Sequence, residues 1–205
     1  EKESNLDESG IVAHVLLKIS DGQQLIVYNG LAIIEEDGIM AIIQNGSPLF
    51  KGDAGSGESN IRGYILENDW LEAIIQIPND MFYNTGIATY IWVITKNKSA
   101  ARTGKVQLID ASKCSVKRRK PIGNKRNEFT DECIQLINTA YNAFTDGVWS
   151  DGDLVVECKV KSNDEFKYTK VVVEQPLLGE DGNPILKKGK MQPDSSKRDS
   201  NLFLI

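Results

Sequence analysis

The nine residues from Pro78 to Gly86 constrain this chain more than any other stretch. They separate two apolar runs of strand length, Leu71–Ile77 and Ile87–Thr95. A parallel return needs about a dozen or more residues, usually including a helix, so these two strands have to run antiparallel. An earlier apolar run, Ile39–Ile43, lies between Gly38 and Gly46 and reads as a strand covered on both faces. Between it and Leu71, Ile61, Tyr64 and Ile65 recur at helical spacing, with Glu58 near the positive end of that helix dipole. This connection is long enough for a right-handed parallel crossover. The chain is therefore expected to be α/β, with two parallel strands joined through a helix and a third folding back antiparallel.

Two loops follow the parallel strands. The first is Asn45-Gly-Ser-Pro-Leu-Phe50, continuing to Gly57, and the second is Pro78-Asn-Asp-Met-Phe-Tyr-Asn-Thr-Gly86. In open α/β sheets ligands bind outside the carboxyl ends of the strands, so both loops point to one functional edge.

The remaining elements are read from capping and periodicity. Ile11–Ile19 is too short to divide between strand and helix, whereas Ser20-Asp21 offers an N-cap to a helix from Gln23 to Glu35. That helix is apolar nearly all round and is expected to be buried, ending near Asp37-Gly38. Lys105–Asp110 reads as a short strand and Lys113–Asn127 as a polar stretch. Thr130 is expected to cap a helix with Asp131 and Glu132 in its first turn, stopping near Gly147. Leu154–Val160 and Phe166–Glu174 read as strands, Asp181–Pro184 as a turn, and Lys187–Ser200 as a polar, mobile segment. The expected division is 1–112, 113–147 and 148–205.

Composition narrows the function classes. Three widely spaced cysteines, Cys114, Cys133 and Cys158, suggest neither a disulfide framework nor a zinc cluster and fit a reducing, cytoplasmic setting. His14 is the sole histidine, which removes any His-based metal site. A net charge of -5 argues against a free-standing nucleic-acid binder but leaves room for a local basic patch. No apolar run approaches a membrane span, and the N-terminus lacks the regions of a signal peptide.

Three stretches resemble a known family: Asn45–Arg62, Ile65-Leu-Glu-Asn-Asp-Trp-Leu-Glu-Ala-Ile-Ile75, and Phe82-Tyr-Asn-Thr-Gly-Ile-Ala-Thr-Tyr-Ile-Trp-Val93. They resemble the modification subunit of type I restriction-modification systems, a DNA adenine-N6 methyltransferase. The similarity extends through Gly104–Ala111 and Gly123–Glu128, and more loosely to Tyr168–Leu177. It implies a partial Rossmann-like class I methyltransferase sheet ending in an antiparallel hairpin, with a small C-terminal extension. It also implies S-adenosylmethionine as cofactor of the intact enzyme, with DNA, a specificity subunit and a restriction subunit as partners. The family's glycine-rich cofactor motif and its Asn/Asp-Pro-Pro-aromatic tetrapeptide are not in this sequence and are expected upstream of Glu1. No catalytic residue is therefore assigned to the chain, and no cofactor is expected to bind it alone.

By the same resemblance, Phe82 is the expected stacking partner of a flipped adenine, with Tyr83 second; alternatively these rings plug the end of the hairpin. The stretch from Asn45 to Phe50, with Asn45, Ser47 and Pro48 as its pocket residues, is expected to form one wall of that pocket, or a strand-to-helix turn stiffened by Pro48. Gly52, Gly55 and Gly57 match no phosphate-loop pattern and read as a connector. Lys117, Arg118, Arg119, Lys120, Lys125 and Arg126 are candidate phosphate contacts, or a solvated loop. The competing function is a non-catalytic assembly or DNA-docking module.

Overall fold

The computed structural model describes residues 22–197 and 199–204. The Ile11–Ile19 run, His14 and the Ser20-Asp21 cap lie outside the described residues. The chain divides into two compact units, one up to Asn163 and one from Asp164.

In the first unit, α1 (Gly22–Ile33) leads into β1 (Ile39–Asn45), a short helix α2 (Ser47–Phe50) and α3 (Gly57–Glu67). Then come β2 (Leu71–Ile77), β3 (Thr89–Thr95), β4 (Lys105–Lys113), β5 (Val116–Ile122) and β6 (Lys125–Glu128). Helix α4 (Asp131–Ala143), β7 (Gly147–Asp151) and β8 (Leu154–Ser162) complete it. Six strands form one sheet in the order β1-β3-β2-β4-β8-β7, and β5 pairs with β6 separately.

The nine-residue loop has the effect expected of it. β3 runs antiparallel to β2, pairing Ile77 with Thr89 and Ile74 with Trp92. It also runs antiparallel to β1, pairing Asn45 with Thr89 and Ile42 with Trp92. β3 thus lies inside the sheet, and β1 and β2 on either side of it are parallel to each other. The sheet continues beyond β2 through the parallel strand β4 and the antiparallel strands β8 and β7.

Alternation of side chains gives the sheet two apolar faces. Ala73, Ile75, Ile77, Val93, Ile109, Ala111, Val156 and Cys158 form one core with Cys133 and Ala140 of α4. Each large aliphatic buried there stabilises the fold by about 1.5–3 kcal/mol. On the opposite face Gly30 of α1 packs on the Met40 side chain, and Tyr28 lies beside Tyr64 of α3.

Two expectations about this region are corrected. α1 is not buried nearly all round: Val27, Tyr28 and Leu31 are buried, whereas Ile26 and Ile33 are exposed, because the sheet covers only one stripe of the helix. It ends at Ile33, short of Gly38. β1 is not covered on both faces either. It is an edge strand, and Ile39 (67% exposed), Ala41 and Ile43 (52%) form an open apolar row.

Helix α4 is attached by a buried polar network. Gln107, fully buried, donates through Nε2 to the Ala140 carbonyl at 2.9 Å and to Cys158 Sγ at 3.1 Å. Its Oε1 accepts from Arg102, whose guanidinium also donates to the Tyr141 carbonyl and lies 4.3 Å from the Tyr141 and Phe144 rings. The Tyr141 hydroxyl bonds the Glu72 carboxylate. Burial, reinforced by that bond, pushes the Tyr141 hydroxyl up to about 12. The helix starts where expected, but the Thr130 hydroxyl donates to Cys133 Sγ instead of capping a backbone N–H. Phe144, in the left-handed conformation, ends it before Gly147. All three cysteines are free and buried.

The polar stretch expected at 113–127 is a hairpin, β5–β6. The expected boundaries at 112 and 147 do not separate structural units, because β7 and β8 pair into the main sheet through β4. The second unit contains β9 (Tyr168–Val173) paired with β12 (Asp199–Leu204), and a small hairpin of β10 (Leu186–Lys187) and β11 (Lys190–Met191). The segment expected to be mobile therefore carries regular structure. Its turn rests on Lys188 and Gly189, both at positive φ, a backbone match for a two-residue hairpin. None of its described residues is buried. No helix among the described residues is long and apolar enough to cross a membrane.

One charged cluster ties the far ends of the first unit together. Asp69, at the end of α3, accepts from Lys98 Nζ at 2.5 Å, the Gly104 N–H at 2.7 Å and Asn163 Nδ2 at 2.8 Å. Lys98 is 2% exposed. Burial raises the Asp69 carboxyl, but these donors and the Lys98 charge outweigh it and hold it below the ordinary value. A depressed carboxyl contributes stability above its unfolded pKa of about 3.9, and that stability is lost as pH falls through the folded value. Asp69→Asn should therefore cost about 2–4 kcal/mol in urea unfolding at pH 7, partly by leaving Lys98 uncompensated. The difference from the parent chain should shrink as pH falls below about 3.9 and through the depressed folded value. A loss that stays constant over that fall in pH would show that the charge is not what matters.

Candidate functional site

Because β1 and β2 are parallel, their carboxyl ends lie at the same edge of the sheet, with the start of β3 between them. Thr89 is the junction, paired with Asn45 on one side and Ile77 on the other. The two loops leave from this point, as expected. The Thr89 hydroxyl and Gln44 Oε1 are buried here without a hydrogen-bond partner among the described residues.

The first loop is a short helix, α2. The Ser47 N–H donates to Asn45 Oδ1 at 2.9 Å, which turns the chain out of β1, and Pro48 in the first turn is buried. Arg62 on α3 closes the far end, donating from Nη1 to the Pro48 carbonyl at 3.0 Å and the Lys51 carbonyl at 2.6 Å. One guanidinium thus satisfies carbonyls that the end of a short helix leaves free. Asn45 and Pro48 therefore both shape the turn, and the open group it presents is the Phe50 ring, 74% exposed.

The second loop is compact. Asp80 adopts φ 57°, and Phe82 and Thr85 form an isolated antiparallel bridge that brings the loop back on itself. Phe82 is half-buried and packs against the core on the α4 side of the sheet. The adjacent Tyr83 is 69% exposed. The solvent-facing ring is therefore the one ranked second from sequence.

The β5–β6 hairpin folds back onto this loop. The Arg126 and Asn127 N–H groups donate to the Asp80 carbonyl at 2.9 and 3.2 Å, and Asn127 Nδ2 donates to the Asn79 carbonyl at 2.8 Å. At the hairpin tip the Asn124 N–H donates to the Tyr83 carbonyl at 2.9 Å. Gly123 has φ 57°, and a Cβ there would sit 2.4 Å from the Tyr83 oxygen, so only glycine allows this approach.

The basic residues are carried on this hairpin and not on a loose loop. Arg118 is ion-paired with Glu128 and partly withdrawn from solvent. Lys117, Arg119, Lys120 and Arg126 are exposed, Lys125 is half-buried, and none of these five has a carboxylate partner among the described residues.

Gly52, at φ 89°, faces Ser56 Oγ and Glu58, the space its missing Cβ leaves being filled by the chain itself. Ser56 accepts from the Ser59 N–H and so caps α3, and Gly55 borders open space before that helix. No group of metal-ligating side chains occurs among the described residues.

The sequence does not single out Arg62, Gly123 and Asn127, which hold the two loops in place, while Phe50 lies within the expected Asn45–Phe50 wall. All four lie inside the stretches that carry the resemblance, but only the fold shows which side chains face outward and which backbone groups meet.

Comparison with known proteins gives a consistent neighbourhood. A family model described as N-6 DNA methylase matches residues 19–181. The methylase subunit of the type I restriction enzyme MjaVIII from Methanocaldococcus jannaschii is 34% identical over 105 residues, covering 51% of this chain and 17% of that protein. The MpnII methylase subunit from Mycoplasma pneumoniae is 28% identical over 145 residues, covering 70% of this chain and 25% of that protein. The crystal structure of the type I restriction-modification methyltransferase subunit from Streptococcus thermophilus superposes with a TM-score of 0.60 at 30% identity, over 73% of this chain and 28% of the other. The EcoKI M protein superposes with a TM-score of 0.50 at 19% identity and bears on the fold alone. The chain thus spans 17% and 25% of the lengths of these two curated relatives.

Arg62 offers a direct check on the first loop. Arg62→Ala should cost about 1–2 kcal/mol of stability. Amide exchange should speed up at Leu49 and Lys51, whose N–H groups bond Gly46 and Ser47 carbonyls. Unchanged exchange there would mean that α2 holds its shape without the guanidinium.

Proposed function

Because the chain belongs to the N-6 DNA methylase family, we propose that it is the target-base side of a site-specific DNA adenine-N6 methyltransferase, the modification subunit of a type I restriction-modification system. The observation that carries this reading is the shared edge. Two loops leave parallel neighbouring strands around Thr89, one presenting the exposed Phe50 ring and the other the exposed Tyr83 ring. The intact enzyme works in the cytoplasm on DNA, beside a specificity subunit and a restriction subunit.

Adenine has to leave the duplex stack before its amino group can be reached, at a cost of roughly a few kcal/mol. Stacking on an aromatic face offsets part of that cost. Tyr83, the open ring, takes this role, with Phe82 packed behind it as a wall. Asn45, Ser47 and Pro48 shape the neighbouring wall. Lys117, Arg119, Lys120, Lys125 and Arg126 contact phosphates, a sequence-independent interaction suited to a subunit that leaves base reading to a partner. Arg118 is held by Glu128 and contributes less. In the intact enzyme S-adenosylmethionine supplies the methyl group from a site made by other residues.

The open edge of β1 is where the methyltransferase sheet continues in the intact enzyme. Its backbone edge, unpaired among the described residues, and the row Ile39, Ala41 and Ile43 fit a further strand and an apolar cover. Ile43→Asp should leave the unfolding free energy of this chain nearly unchanged while lowering the yield of assembled enzyme. Equal loss in both would place Ile43 in this chain's own core.

Tyr83→Ala in the assembled enzyme should lower kcat/KM for DNA methylation about 5- to 150-fold, the ~1–3 kcal/mol of one base–aromatic stack. Tyr83→Phe should retain most of the activity. Phe82→Ala should instead cost about 1–3 kcal/mol in stability. If Tyr83→Ala methylates normally while neutralising the hairpin abolishes DNA binding, the chain is a docking module and not a wall of the base pocket.

A further inference from the structure

The aromatic loop and the basic hairpin are built as one piece. Four hydrogen bonds join them, all accepted by the backbone carbonyls of Asn79, Asp80 and Tyr83. Three of the donors are backbone N–H groups of Asn124, Arg126 and Asn127, and the fourth is the Asn127 side chain. The Asp80 carbonyl is engaged twice, by successive residues of β6. At the tip, Gly123 lies so close to the Tyr83 carbonyl that any side chain there would push the two apart. The free cations Lys117, Arg119, Lys120 and Arg126 project from the same hairpin, Arg126 from a residue that itself holds Asp80.

We propose that the β5–β6 hairpin is a positioning element that sets the register between a contacted DNA phosphate and the base-stacking ring, with Asn127 and Gly123 as its positioning residues. The proposal rests on the base-pocket reading of the Pro78–Gly86 loop and adds a coupling that reading does not contain. A phosphate held by the hairpin cations fixes the hairpin on the backbone. The backbone bonds to Asp80 and Tyr83 transmit that position to the loop. The Tyr83 ring then stands at a set distance from the held phosphate, where a nucleotide turned out of the duplex presents its base. Phosphate contact, which carries no sequence information, thereby gains a geometric role in capture of the base.

The chemistry fits a duplex backbone better than a free anion. The cations are spread along both strands of an exposed two-stranded ribbon, Lys117, Arg119 and Lys120 on β5 and Arg126 on β6. A ribbon with charge along its length matches a row of phosphates.

The test uses the assembled modification enzyme and a duplex carrying its methylation site, with 2-aminopurine at the target adenine as reporter of flipping. Variants are Asn127→Ala, the triple K117Q/R119Q/K120Q, their combination, and Tyr83→Ala. The triple should weaken DNA binding and flatten the log K against log salt slope by about 2–3. With the hairpin joined to the loop it should also reduce the fluorescence gain at saturating DNA. Asn127→Ala should keep the salt slope, which shows the hairpin folded, while the fluorescence gain and the single-turnover rate fall about tenfold. In the combination the losses in affinity should add, and the losses in flipping should not. Gly123→Ala, which strains the same junction, should behave like Asn127→Ala.

Normal flipping in both Asn127→Ala and Gly123→Ala, or flipping losses that simply add, would overturn the positioning role. If Tyr83→Ala reduces flipping in that case, the base-pocket reading survives alone. If Tyr83→Ala flips the base normally, that reading fails and the positioning role fails with it.

Discussion

Strand β3 is hydrogen-bonded along both edges, antiparallel to β1 and to β2, and the candidate site exists because of that double pairing. Insertion of a reversed strand between two parallel ones brings their carboxyl ends to the same edge with one strand's width between them. It also places Thr89, whose buried hydroxyl has no hydrogen-bond partner among the described residues, at the centre of that edge. Take β3 away and β1 has no neighbour among the described strands. The first loop would then lose its place opposite the second.

Around that strand the molecule uses two kinds of fastening. Apolar contact joins the sheet to α4 on one face and to α1 on the other. Polar contact is concentrated where long-range attachments have to be directional: Arg102, Gln107, Tyr141 and Glu72 for α4, and Asp69 with Lys98, Gly104 and Asn163 at the opposite end of the sheet from the loops. Each buried polar group in these clusters has to find a partner or lose the free energy of its hydration, so the arrangement admits few alternatives. At the functional edge the fastening is mainly to backbone carbonyls, through Arg62 for the first loop and through the β5–β6 hairpin for the second. Side chains such as Phe50 and Tyr83 remain free to meet a partner.

Much of this architecture is legible in the residues themselves. Strand direction follows from the length of Pro78–Gly86, and α3 and α4 follow from the spacing of their apolar residues and from acidic residues in their first turns. The hairpin does not, because Lys117-Arg-Arg-Lys-Pro121 lacks the alternation of a half-buried strand, and its partner strand and tip are held by bonds to a loop more than forty residues earlier. Exposure of β1 is also invisible in the chain: Ile39-Met-Ala-Ile-Ile43 has the composition of a covered strand, and covering is a property of neighbours. The order of Phe82 and Tyr83 depends on which way a tight loop turns, which no pattern of apolar residues encodes. Family resemblance locates the loop, and only its folded path separates the two rings.

The three thiols have a consequence of a different kind. Cys114, Cys133 and Cys158 sit in the one apolar layer between α4 and the sheet, and burial pushes the Cys114 thiol up to about 12. Thiolate is the reactive form, so Cys114 and Cys158, whose thiols burial pushes up, are shielded twice, by access and by protonation, and Cys133 is shielded by access. Alkylation of this chain therefore has to wait until α4 lifts from the sheet. Its cysteines act as a clock for that opening, and they time the layer beneath the site without any probe being introduced.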